Sequence, residues 1–144
     1  MSVTKSNPGT VFLGGDRTQI GDLAAAVAIT PGHLVERDDV GSVIRWKLAS
    51  ADIAGVPAVA LNQSELNLGI DTACVIGDLI PVAILHKGAS AWMFIASGQN
   101  IAAGDLLGSA GGGTLKSGAT VARFTALETI ATVTVTTRIR VEAL

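Results

Sequence analysis

The sequence is poor in several things at once. Tyrosine is absent, the aromatic residues are two tryptophans and three phenylalanines, and charged residues fill only 15% of the 144 positions. An average soluble domain carries about 25% charge. A surface so weakly ionised predicts coverage by protein, as in an oligomer or a docking module. The single cysteine, Cys74, excludes an internal disulfide. No apolar run reaches the roughly 20 residues of a membrane helix, and stretches such as Leu79 to Leu85 stop far short. The first nine residues, MSVTKSNPG, carry one lysine and no following apolar core, which predicts no secretory leader. Net charge is −2 with both signs scattered, unlike the basic footprint of a nucleic-acid binder.

What is present is glycine and small apolar residues. Hydrophobic residues reach 49%, and with so few aromatics much of that is Ala and Val. Seventeen glycines punctuate short apolar runs, the spacing of strands between tight turns. Strands are predicted over Thr10 to Leu13, Ala26 to Ile29, Leu34 to Arg37, Val43 to Leu48, Val56 to Leu61, Leu79 to Leu85, Ala91 to Ala96 and Thr132 to Val141. The last is clearest: Val133, Val135, Ile139 and Val141 share one face against Thr and Arg on the other. Val43 to Leu48 alternates likewise, with Arg45 and Lys47 outward.

Helix signals are thin. Asp22 to Ala28 has an N-cap and good helix formers, but Ile29-Thr30-Pro31-Gly32 ends it, and it reads equally as a strand of small residues. Ala49 to Ile53 and Ser64 to Leu68 each fit one helical turn. His86 ends a strand before a hairpin at Lys87-Gly88, and Gly108 to Thr114 reads as a flexible loop between strands. The fold class is mainly β: a small β-barrel or β-sandwich with short helical turns. One domain over residues 10–144 follows a flexible N-terminal arm over residues 1–9.

A short motif recurs. Ile29-Thr30-Pro31-Gly32-His33-Leu34-Val35 and Ile101-Ala102-Ala103-Gly104-Asp105-Leu106-Leu107 share I-x-x-G-x-L-[VL], and Val75-Ile76-Gly77-Asp78-Leu79-Ile80 is a third variant. It predicts a turn built on a glycine and then a strand with its leucine inward. Three occurrences do not make a solenoid.

Searches for chemistry end in exclusions. Nucleophilic catalysis needs a His oriented by a carboxylate beside Ser, Cys or Thr. His33 lies in a turn, His86 ends a strand, and Cys74 sits in apolar company as a buried, inert thiol. Glu36-Arg37-Asp38-Asp39 lacks the alternating oxygen ligands of an EF-hand and reads as hairpin surface. Gly111-Gly112-Gly113-Thr114-Leu115-Lys116-Ser117 ends like a P-loop, but Leu115 stands where glycine must precede the lysine. Asn62-Gln63-Ser64 is a chance sequon. No catalytic, cofactor-binding or metal-ligating residue is expected. Trp46 and Trp92 are core or rim residues first, and candidate anchors of a subunit contact second.

The stretch Ile70 to Leu85, containing Cys74-Val75-Ile76-Gly77-Asp78-Leu79-Ile80-Pro81, resembles the capsid decoration (cement) proteins of tailed bacteriophages. So do Ser97 to Ser109 with its glycine turn, Thr114-Leu115, Ile53 to Leu61 and the closing Ile139-Arg140-Val141. The resemblance runs over about residues 20–144 and implies a non-enzymatic virion protein on the outer surface of the head. It would be made in the host cytoplasm and would bridge major capsid protein subunits against internal DNA pressure. Self-association, as a homotrimer ahead of a dimer, is implied as well, with no direct nucleic-acid or membrane partner. The residues themselves suggest how the arm engages: Val3, Thr4 and Lys5, then Val11, Phe12 and Leu13, are candidate capsid contacts that add a strand to an exposed edge. Other readings of the same residues are a tail or fibre subunit, a β-clip carbohydrate-binding or enzymatic domain, and a cellular shell or scaffold protein.

Overall fold

Period-two alternation and β-branched residues dictate strands, and glycines set the corners between them. The computed structural model describes residues 10–40, 43–51, 58–62, 70–131 and 137–144, without the side chain of Val40. One sheet holds, in order, β1 (Phe12–Gly14), β7 (Ser90–Ile95), β11 (Thr137–Ala143), β10 (Phe124–Ala126), β8 (Leu106–Gly111) and β9 (Thr114–Ser117). The other holds β2 (Arg17–Ile20), β6 (Val82–Leu85), β5 (Ala58–Ala60), β3 (Leu34–Val40) and β4 (Val43–Leu48). Within the two sheets the described strands pair antiparallel except at Ile95 and Leu115, a parallel contact that curls the six-stranded sheet toward itself. The result is a β-sandwich-like fold, mainly β as the sequence predicts, and not a closed barrel.

The middle of the five-stranded sheet is buried on both faces, and β5 shows why. All three of its residues are buried: Val59 points between the sheets, while Ala58 and Ala60 point the other way. The inter-sheet layer adds Leu34, Leu85, Met93, Ile95, Leu107, Phe124 and Ile139. The second layer holds Val35, Trp46 and Val82 and is closed by two irregular segments, 23–29 and 74–80. These contribute Ala25, Ile29, Cys74 and Ile80. The segments together form a strap across the outer face.

Several expectations are corrected. Asp22 to Ala28 is neither helix nor regular strand, because main-chain pairing on both sides of Ala25 overrides its helix propensity. Ala49 to Ala51 is not helical, while 52–53 and Ser64 to Leu68 lie outside the described residues. Gly108 to Thr114 is the tip of a β8–β9 hairpin, with Gly111 paired to Thr114 around Gly112-Gly113. His86 to Ala89 is no hairpin: β6 and β7 belong to different sheets, as do β1 and β2. These two crossings pack together, and a Cβ on Gly15 (φ 94°) would come within 2.5 Å of the Ala89 backbone. Only glycine fits there.

The recurring motif is a recurring turn. At 30–33, 75–78 and 102–105 the fourth N–H donates to the first carbonyl, at 3.0–3.1 Å. The fourth side chain accepts the first N–H in return, through His33 Nδ1 or an Asp78 or Asp105 oxygen. Gly32, Gly77 and Gly104 take φ 99°, 93° and 94° at the third position, the mark of a type II turn. The inward leucine holds only at Leu34. Leu79 and Leu106 are 58% and 54% exposed, and the next residue, Ile80 or Leu107, is buried instead. Strand alternation allows only one of two neighbours inward unless both faces are covered, as they are at β3.

Candidate interaction surface

The strap is held by main-chain bonds. Ala26 N–H donates to the Trp46 carbonyl at 2.7 Å, and Trp46 N–H to that of Ala24 at 2.9 Å. On its other side Ala25 N–H donates to the Asp78 carbonyl, and Gly77 N–H to that of Ala25, both at 2.9 Å. This ladder joins β4, 24–26 and 77–79 into one ribbon whose inward side chains fill the outer layer. Much of its exposed surface is apolar, beside the exposed Asp78. Val27, Ile44, Val75, Ile76 and Leu79 are exposed on it or next to it, and Val43 opens β4 on the opposite face from Ile44. Six of the nine exposed large apolar residues described therefore lie on this ribbon or at its ends. A half-exposed residue of this size forgoes roughly 1 kcal/mol of burial, so this region carries most of the uncovered apolar surface of the described residues.

Arg138 ties the strap to the sandwich. Its guanidinium donates to the Pro31 carbonyl at 3.0 and 3.2 Å and to the Ile70 carbonyl. It pairs with Asp71 at 2.8 Å and stacks 4.3 Å from the Phe94 ring centre and 5.2 Å from that of Trp92. The arginine side chain is 7% exposed and the aspartate 86%, so the carbonyls and rings hold it more than the ion pair does. His33 lies against Phe94, ring centres 4.6 Å apart. Burial, and then the nearby Arg138 charge, lower the His33 pKa to about 4. The neutral ring keeps Nδ1 free to accept from Thr30 N–H.

Trp46 is 1% exposed within the strap layer, and Trp92 is 8% exposed beneath Arg138. Both indoles, the expected candidates for a subunit contact, pack within the chain itself. Val11 is buried in the inter-sheet core, and Phe12 and Leu13 are half-buried on or beside a strand already paired to β7. Val3, Thr4 and Lys5 lie outside the described residues. Cys74 is buried, and burial raises its thiol pKa. Among the described residues, no group of His, Cys, Asp or Glu could hold a metal ion, and Glu36 instead accepts from Ser50 and pairs with Lys47 at 3.5 Å.

The fold is similar to a phage head-fibre base. Among solved structures it aligns with the N base of head fiber gp8.5 of bacteriophage phi29, at a TM-score of 0.58 and 14% identity. The match covers 90% of this chain and 93% of that one. No protein-family model matches the sequence, and no curated protein matches it. At this identity the likeness concerns the fold.

Val27, Val75, Ile76 and Leu79 are the surface residues that sequence reasoning missed, and a signal for two of them existed. The first two positions of the recurring turn are Thr30-Pro31 and Ala102-Ala103 in two copies, but Val75-Ile76 in the third.

Proposed function

We propose that the chain is a structural protein of a tailed-phage head, seated on the outer surface of the capsid by its strap face and bridging major capsid protein subunits. The observation that carries this reading is the fold likeness over nine-tenths of both chains to a head-fibre base. The apolar ribbon supports it by supplying a contact face that the monomer leaves uncovered. Repetition on a symmetric shell multiplies weak contacts, so a few exposed Val, Ile and Leu residues per copy suffice for stable decoration. Self-association as a homotrimer belongs to the same proposal.

Co-sedimentation with purified empty heads of the encoding phage tests it: saturable binding is expected, and a chain that stays in the supernatant contradicts it. Analytical ultracentrifugation of the free chain reads the oligomer directly. The neighbour's description as a fibre base favours a second reading, in which the domain anchors an appendage without cementing the shell. Head stability separates the two, because bound chain raises the disruption temperature of heads only if it bridges subunits.

A further inference from the structure

One cleft breaks the apolar pattern of the sandwich. On β2, Arg17 lies opposite Leu85 and Gln19 opposite Ala83, both members of the inter-sheet core. Period two therefore sends Arg17 and Gln19 toward the space between the sheets, where the pattern calls for apolar residues. They meet Phe12 of β1 and Leu61 and Asn62 at the end of β5, and together line an open cleft of about 250 Å³. The Arg17 guanidinium stands 4.1 Å above the Phe12 ring centre. Polar residues at core-facing positions mark a site rather than a core.

The main chain beside the cleft is open as well. Among the described residues β2 ends its sheet. His86 N–H donates to the Asp16 carbonyl at 3.1 Å. Alternation along the antiparallel pair then turns the N–H and C=O of Arg17 and Gln19 away from β6, toward that edge. The same two residues thus offer an edge to pair with and side chains for one specific group. Arg17 is the charged residue of the lining, so the group it fits is an anion, and a planar guanidinium matches a carboxylate. The chain's own residues 1–9 contain no Asp or Glu and cannot supply it.

We propose that this cleft is a peptide site, where an extended segment of a partner protein adds to the free edge of β2 and places an Asp or Glu carboxylate on Arg17. The site stands independently of the virion reading, because it rests on β2 and the cleft alone.

The test is a titration of the isotope-labelled full chain followed by NMR. Two probes are used at millimolar concentration: an acetylated, amidated Thr-Val-Glu-Val-Thr peptide and its counterpart with Gln at the centre. The Glu peptide is expected to shift the amides of Arg17 and Gln19, with the side-chain signals of Arg17 and Asn62. The Gln peptide, or Arg17→Gln protein, is expected to bind roughly tenfold more weakly, as loss of one charge-assisted pair dictates. Gln19→Ala, at an exposed position, gives a second reading in a protein that still folds. Equal binding of the two peptides, or shifts confined to other regions, overturns the proposal. So does response to sodium glucuronate alone, which would make the ligand an acidic sugar. Different Arg17 and Gln19 signals in a chain that begins at Thr10 would make residues 1–9 the occupant and equally overturn it.

Discussion

The two faces of the five-stranded sheet carry the same kind of side chain but are closed differently. Between the sheets, Phe124, Met93, Ile95, Leu107 and Ile139 are fully buried beneath continuous strand ladders. On the other face, Trp46 is the one aromatic ring among alanines, Cys74 and a few branched residues. The cover there is an irregular ribbon whose own Val and Ile residues face outward. Trp46 Nε1 is buried there without a hydrogen-bond partner. The first layer is built to hold the monomer together. The second leaves large apolar side chains of its own cover exposed.

That contrast can be broken by substitution. Phe124→Ala leaves a cavity between the sheets and is expected to cost about 3–5 kcal/mol, read as a lower denaturation midpoint and faster hydrogen exchange in both layers. Arg138→Met removes the donors to the Pro31 and Ile70 carbonyls, and about 2 kcal/mol is expected to go with them. Its signature is local: amides of Cys74 and Ile80, both bonded within the strap, exchange faster than those of β8 and β10. Equal acceleration everywhere would erase the distinction between the layers.

Acid provides a gentler probe. His33 has a folded pKa of about 4 and an ordinary value of 6.5. The unfolded chain therefore binds the proton first, and the contribution is fully present above pH 6.5 and lost as pH falls toward 4. With solvent screening of a partly buried ring, the loss is on the order of 1–2 kcal/mol. Thermal melts across that window should show the slope in the native chain and a flatter profile in His33→Gln. The smallest effect belongs to the ribbon. Val75→Ser with Ile76→Ser touches exposed side chains only, so monomer stability should change by no more than about 0.5 kcal/mol, while head binding disappears.

Much of this architecture was legible in the residues. Val43 to Leu48 alternates and pairs over the predicted span, and the I-x-x-G-x-L echo with its variant marks three glycine turns. The misreadings have physical causes. Pro81 withholds an N–H and splits Leu79 to Leu85, so only Val82–Leu85 is strand. Glycines at 108 and 111 suggested a loop, yet a hairpin tip uses glycine as readily. The strap and the Arg17 cleft depend on which distant segments meet, and local pattern does not carry that information. The sequence does not reveal that Leu85 and Ala83 stand opposite Arg17 and Gln19.

The most direct measurement is a cryo-electron microscopy reconstruction of purified heads saturated with the full chain. The account predicts density on the outer shell with the ribbon of Ile44, Val75, Ile76 and Leu79 against capsid protein or a neighbouring copy. Heads left bare, or decorated with that ribbon turned to solvent, would contradict it.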